Sequence, residues 1–100
     1  MIDLTVTEFI KNDAIIFSYH SRVRMFERGI STDDVINFII YGEIIEIYPD
    51  DDPCPSHLVL GYKGEVAYHT VYAVCEDHIR IITVYMPEPD KWINNQKRRR

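Results

Sequence analysis

His20, Arg24 and Arg28 stand at i, i+4 and i+8 in the segment YHSRVRMFER. At helical pitch that spacing draws one imidazole and two guanidiniums into a stripe about 80° wide. Guanidiniums grip phosphate oxygens as a bidentate fork and an imidazole transfers protons near neutral pH, so the stripe suits an anionic substrate. A structural reading competes: the arginines pair with Glu27, Glu43 or Glu46, and His20 donates to a carbonyl. A second histidine, His69, lies in EVAYHTVYAVC, where alternation groups it with Ala67, Val71, Ala73 and Cys75. This is the smaller set of side chains and fits beneath packed helices. There His69 is either a satisfied core histidine or, meeting His20 across a helix–sheet seam, half of an acid/base pair able to cleave RNA. Tyr85, in ITVYM, is the third candidate: it can position a phosphate or donate to it, or simply be an aromatic strand residue.

Other chemistries find little support. Cys54-Pro-Ser-His57 and the Cys75–His78 pair put four soft ligands at C-x-x-H spacing, a zinc site on paper. Neither pair sits on a knuckle turn, and Cys75 would face the core, so no metal is expected. With four glycines in the chain there is no Gly-rich phosphate loop, and HExxH and G-x-S-x-G are missing. An ATPase, a Rossmann enzyme and a zinc protease are thereby set aside, and no cofactor is expected.

The elements that must hold these residues follow from period and punctuation. Ile2, Val6, Phe9 and Ile10 have helical spacing, giving a short first helix. Ile15-Ile16-Phe17 is briefly extended. Ser18 caps a helix over YHSRVRMFER closed by Gly29, with Tyr19, Val23 and Phe26 expected in the core. Ser31 and Asp34 form a near capping box for a third helix, with Val35, Phe38 and Ile39 inward and Gly42 at its end. The period then becomes two: EIIEIYP, HLVLGYK, EVAYHTVYAVC and IRIITVYM read as four strands with short connections, an antiparallel meander. Pro87 and Pro89 end the sheet, and the segment after them has room for one helical turn. The expected class is α+β, with N-terminal helices packed on one face of a four-stranded antiparallel sheet. Residues 1–96 form one domain and residues 97–100 a basic tail.

Sixteen acids against eleven Lys plus Arg give the 100 residues a net charge of −5. Lys97 to Arg100 contribute +4, so residues 1–96 carry −9. A generally basic nucleic-acid binder would look different. Two cysteines do not make a disulfide framework, which points to a reduced cytoplasmic protein, and no apolar run is long enough to span a membrane.

SYHSRVRMFERGIS, PDDDPCPSHLVLGY, YHTVYAV and ITVYMPEPDKW together resemble the small bacterial proteins grouped as domain of unknown function 4258, over roughly residues 15–92. That resemblance implies a RelE/barnase-like fold and a toxin-like, metal-independent ribonuclease of the cytoplasm. It also implies an antitoxin partner, of the YgiT zinc-finger type that often neighbours such proteins. The polar residues it carries over are His20, Arg24, Arg28, His69 and Tyr85. RelE-type toxins are basic, whereas this body is acidic, so either the helix stripe forms a local positive cleft, or the protein acts within a larger basic machine, or it is not a ribonuclease. The expected reaction is acid/base cleavage of RNA with Arg24 and Arg28 on the phosphoryl oxygens. The alternative is a non-catalytic binding module that uses Tyr62, Tyr68 and Tyr72, and an edge-strand dimer stays open.

Overall fold

The computed structural model describes residues 4–98; Ile2, Arg99 and Arg100 lie outside them. The order is α1 (Leu4–Lys11), β1 (Ile15–Phe17), α2 (Tyr19–Arg28), α3 (Thr32–Tyr41), β2 (Glu43–Tyr48), β3 (Ser56–Lys63), β4 (Val66–Val74), β5 (Ile79–Tyr85), β6 (Trp92–Ile93) and β7 (Lys97–Arg98). The fold is mixed α+β with a five-stranded sheet ordered β1-β5-β4-β3-β2. Four strands form the expected antiparallel meander, and the fifth corrects the expectation: Ile15–Phe17 pairs in parallel with Ile79–Ile81.

Local chemistry sets the two central helices. Ser18 accepts from the Ser21 amide, and Gly29, at φ 66°, closes α2 with its own N–H on Phe26 and the Ile30 N–H on Met25. These two bonds and the buried Met25–Ile30 pair make a Schellman ending. Ser31 and Asp34 complete a full capping box, each side chain taking the other's amide. Val35, Phe38 and Ile39 are buried as their spacing predicts. At Gly61 an added Cβ would come within 2.6 Å of the Phe38 ring, so glycine there lets α3 approach the sheet. Phe38 stacks on Tyr68 at 5.5 Å between ring centroids.

Two side-chain placements differ from the expectation. In α2, Ser21 and Met25 are buried, whereas Tyr19 is 83% and Phe26 89% exposed and Val23 is partly so. The cause is a tether: Ser18 donates its amide to the Ile81 carbonyl and its hydroxyl to Ile82, and Arg22 Nε donates to Phe17. These bonds rotate α2 about its axis until Tyr19, Val23 and Phe26 face solvent. In β4 the faces are exchanged, because Tyr68 and Tyr72 join Val59, Val84 and the helices in the core, while His69 looks the other way. Tyr68 and Tyr72 are therefore not a partner surface; of the three tyrosines proposed for one, Tyr62 alone is exposed.

The cysteines are also corrected. Cys54 and Cys75 form a disulfide with Cα atoms 5.2 Å apart, joining the acidic loop before β3 to the residue after β4. The pairing removes the basis on which a reducing compartment was expected. It also consumes the two thiols of the C-x-x-H pairs. Finally, Lys97 and Arg98 do not begin a loose tail: after a single turn, in which the Lys91 and Trp92 amides bond to the Glu88 carbonyl, the chain folds back as the β6–β7 hairpin. No helix among the described residues is long and apolar enough to cross a membrane.

Candidate active site

Two β-bulges aim the polar side chains. In β5 the pairing runs Tyr72↔Ile81 and then Val71↔Thr83, so Ile82 is an extra residue. Ile79 and Ile81 face the helices, and after the bulge Val84 does so. The slip turns Thr83 and Tyr85 to the opposite face, where Tyr85 pairs with His69. In β2, Ile44↔Val59 is followed by Glu46↔Leu58, so Ile45 is extra and Glu43 and Glu46 come to one face. Both meet the hairpin: Gln96 Nε2 donates to Glu43 at 2.9 Å, and Arg98 Nε to Glu46 at 2.9 Å.

That hairpin seals His69. Asn94 (φ 51°) and Asn95 (φ 64°) occupy the left-handed region, and the Gln96 amide closes on the Ile93 carbonyl at 3.0 Å. Positive φ at both central residues is what a primed hairpin turn requires, and asparagine tolerates it. The turn delivers the Asn95 carbonyl to His69 Nε2 at 2.6 Å, and Trp92 stands edge-on to the imidazole at 4.5 Å. Behind Trp92 the Arg98 guanidinium lies 4.6 Å over the indole.

The hydrogen bonds dictate the tautomer. A carbonyl only accepts, so Nε2 carries the proton, and Nδ1 accepts from the Tyr85 hydroxyl at 3.2 Å. His69 is fully buried. Burial lowers its pKa, against the opposing pull of the Asn95 carbonyl and Glu46. Burial, and next the neighbouring Tyr48, raise that of Tyr85, which is a neutral phenol at pH 7. At Glu46 burial works toward the acid form, but the hydrogen bonds from Tyr48 and Arg98 prevail and hold it below the ordinary range. Its hydrogen bond to Glu46, and then that to Tyr48, push Arg98 upward, so this cation is permanent.

Tyr85 opens into a cleft of about 450 Å³ between α2, the end of β5 and the C-terminal segment. His20, Arg24 and Arg28 line one wall; Lys91 and Arg98 add two cations, against Glu88 as the one lining carboxylate among the described residues. His20 is exposed and makes no hydrogen bond among the described residues. Arg24 pairs with Glu27 at 3.0 Å, but the pair is half exposed and contributes at most ~1 kcal/mol, leaving the guanidinium available to an anion. Among the described residues Arg28 Nη1 hydrogen-bonds only the Met86 sulfur, at 3.7 Å. Glu43 and Glu46 are committed to the hairpin rather than to α2.

Four of the five expected residues, His20, Arg24, Arg28 and Tyr85, thus share one cleft. The fifth, His69, does not reach it; it stands behind Tyr85 and is not a direct partner of His20 across a helix–sheet seam. Lys91, Trp92, Asn95 and Arg98 were missed as site residues. The Asn94-Asn95 pair carries the signal for a hairpin, because asparagine is turn chemistry that tolerates positive φ.

A neutral buried histidine makes stability depend on pH. The unfolded chain takes up a proton near pH 6.5 that the folded state refuses, so the unfolded state binds more protons below that point. Stability is full above about 6.5 and falls as pH drops through it, by up to ~1.4 kcal/mol per pH unit for one proton. Asp34, Glu46 and Asp77, with pKa values held below 3.8 to 4.5, act only in stronger acid. Urea unfolding at pH 7.5 and 5.5 is expected to show this loss in the wild type and a smaller one in His69→Gln. A flat wild-type response contradicts the buried neutral imidazole.

A mixed α+β domain with a cationic cleft backed by a buried histidine–tyrosine pair is the class of site defined here. The chain belongs to the family described as Domain of unknown function (DUF4258), whose family model matches residues 17–86. That span includes His20, Arg24, Arg28, His69 and Tyr85, and stops short of the hairpin. No curated protein and no solved structure matches the chain.

Proposed function

We propose that this protein is a metal-independent ribonuclease of a toxin–antitoxin pair, on a RelE-like variant of the α+β fold. The observation that carries the reading is the meeting of a histidine, two solvent-accessible arginines and a histidine-backed tyrosine in one cleft. The cleft's cations outnumber its acids although the body is acidic, so a phosphate is drawn to this spot while non-specific binding elsewhere stays weak.

The proton movements follow from the tautomer. The ribose 2′-hydroxyl gives its proton to Tyr85 Oη as the Tyr85 proton passes to His69 Nδ1. The 2′-oxygen bonds to phosphorus, the bond to the 5′-oxygen breaks, and that oxygen takes a proton from protonated His20. Arg24 and Arg28 hold the phosphoryl oxygens as charge builds on them. The Asn95 carbonyl steadies the imidazolium formed at His69. The products are a 2′,3′-cyclic phosphate and a free 5′-hydroxyl.

RNA incubated with the protein in EDTA is expected to yield these ends, and His20→Ala to slow the cut about 10²- to 10⁴-fold. Intact RNA, or cleavage only with added metal, sinks the proposal. Tyr19, Val23 and Phe26, exposed on the side of α2 away from the core, favour a second role for that helix as the seat of a protein partner such as an antitoxin. Without catalysis, that surface alone defines a binding module, whose signature is partner capture with RNA left intact. An RNA substrate places the work in the cytoplasm, where the Cys54–Cys75 bond meets reducing thiols.

A further inference from the structure

A second hollow, also about 450 Å³, lies between the end of α3, the β2 start and β3. Phe38, Leu60 and Gly61 line it, together with two exposed rings, Tyr41 (83%) and Tyr62 (55%). Large aromatic rings held at the surface beside a hollow are costly to hydrate and offer flat faces to a planar group. Asn37 and Gln96 bring amide groups, which both donate and accept as base edges do. Among the described residues its one lining carboxylate is Glu43 and no Lys or Arg lines it, the reverse of the cleft. A phosphate is repelled here; an uncharged planar group is not.

The hairpin joins the two. Gln96 lines the hollow, and Arg98, two residues on, lines the cleft. Leu60 of the hollow and Tyr85 of the cleft both pair with His69, so they stand two strand spacings apart, about 9.4–9.8 Å, roughly the rise of three stacked nucleotides at about 3.4 Å each. We propose that the Tyr41–Tyr62 hollow is a nucleobase subsite, taking a base of the same single strand whose phosphate enters the cleft. The inference rests on the RNA reading of that cleft and assigns its substrate as single-stranded RNA, held by stacking rather than by sequence readout.

The test is independent of cleavage. Fluorescein-labelled 2′-O-methyl octa-adenylate, whose blocked 2′-oxygens cannot attack, and an abasic octamer of the same backbone are titrated by anisotropy. Wild type is expected to prefer the adenylate about tenfold, in the range of one stacked base. Tyr41→Ala and Tyr62→Ala should erase that preference, whereas Tyr41→Phe and Tyr62→Phe, which keep the ring, retain it. Arg28→Ala should weaken both oligonucleotides alike. No preference in wild type, binding of neither oligonucleotide, or a preference that survives both alanine changes overturns the subsite. Unmodified RNA left uncut while the tyrosine-dependent preference persists refutes the ribonuclease and supports the subsite; the converse pattern retires the subsite alone.

Discussion

Tyr85→Phe slows RNA cleavage about 10²- to 10⁴-fold, the range of a lost general acid/base step. The ring stays and only the hydroxyl between the cleft and His69 Nδ1 is removed. Stability falls too, by about 1–3 kcal/mol, because a buried ring nitrogen loses its donor. The two losses are separable, since unfolding by that amount leaves a stable domain mostly folded at 25 °C and cannot account for a hundredfold rate. Single-turnover cleavage and urea unfolding on the same samples read them independently. A relay makes a sharper demand: once Tyr85 is Phe, His69→Gln should cost little further rate, because both residues serve one proton path. Additive losses would mean that the two act separately. An unchanged rate in Tyr85→Phe would remove the tyrosine from the chemistry.

Breaking the Cys54–Cys75 bond lowers stability by about 3 kcal/mol. The bond spans 21 residues, and closing a loop of that length restricts the unfolded chain by that amount in the chain-entropy account. For a domain of this size the melting temperature then drops by about 12–24 °C. Thermal unfolding with and without reductant, and of the Cys54→Ser/Cys75→Ser double variant, measures it; matched melting curves would mean the bond contributes nothing in solution. The prediction bears on activity because β4 ends one residue before Cys75 and carries His69. Cys75 lies six residues along the chain from His69, about 20 Å of extended strand, so partial reduction should lower stability before it lowers the rate.

Much of the fold is legible in local chemistry. Ser18, Gly29, Ser31 and Asp34 act through bonds to residues within a few positions, so their types and spacing suffice to place α2 and α3. The strands are legible for the same reason, since period two is a property of each segment. What was not legible depends on tethers between distant residues. Nothing within YHSRVRMFER says that Ser18 will bond to Ile81 and Ile82, yet that contact decides that Met25 is buried and Phe26 is not. The cationic stripe survives the rotation because it flanks the buried face. His69 and Tyr85 were identified by residue type, but their meeting needed the bulge at Ile82, which strict alternation cannot express. Asn94-Asn95 is legible as turn chemistry, but that the strands on either side of it pair and fold back on His69 depends on contacts with distant residues.

The bulge at Ile82 has a consequence for how change can reach this molecule. A strand normally ties its neighbours to one phase, so any residue inserted or lost inverts every side chain beyond it. Here the inversion is already built in, and it falls between two stretches with separate duties: Ile79 and Ile81 belong to the core, Thr83 and Tyr85 to the cleft. Substitutions on one side of the slip are therefore judged by packing, and those on the other by chemistry, although they share a strand of seven residues. Ironing the bulge out with all seven residues kept would put Val84 opposite His69, where Tyr85 belongs, and exchange the two sets of duties at once. A cleft can drift toward a new substrate while the core beside it stays as it was, so long as the phase slip is kept.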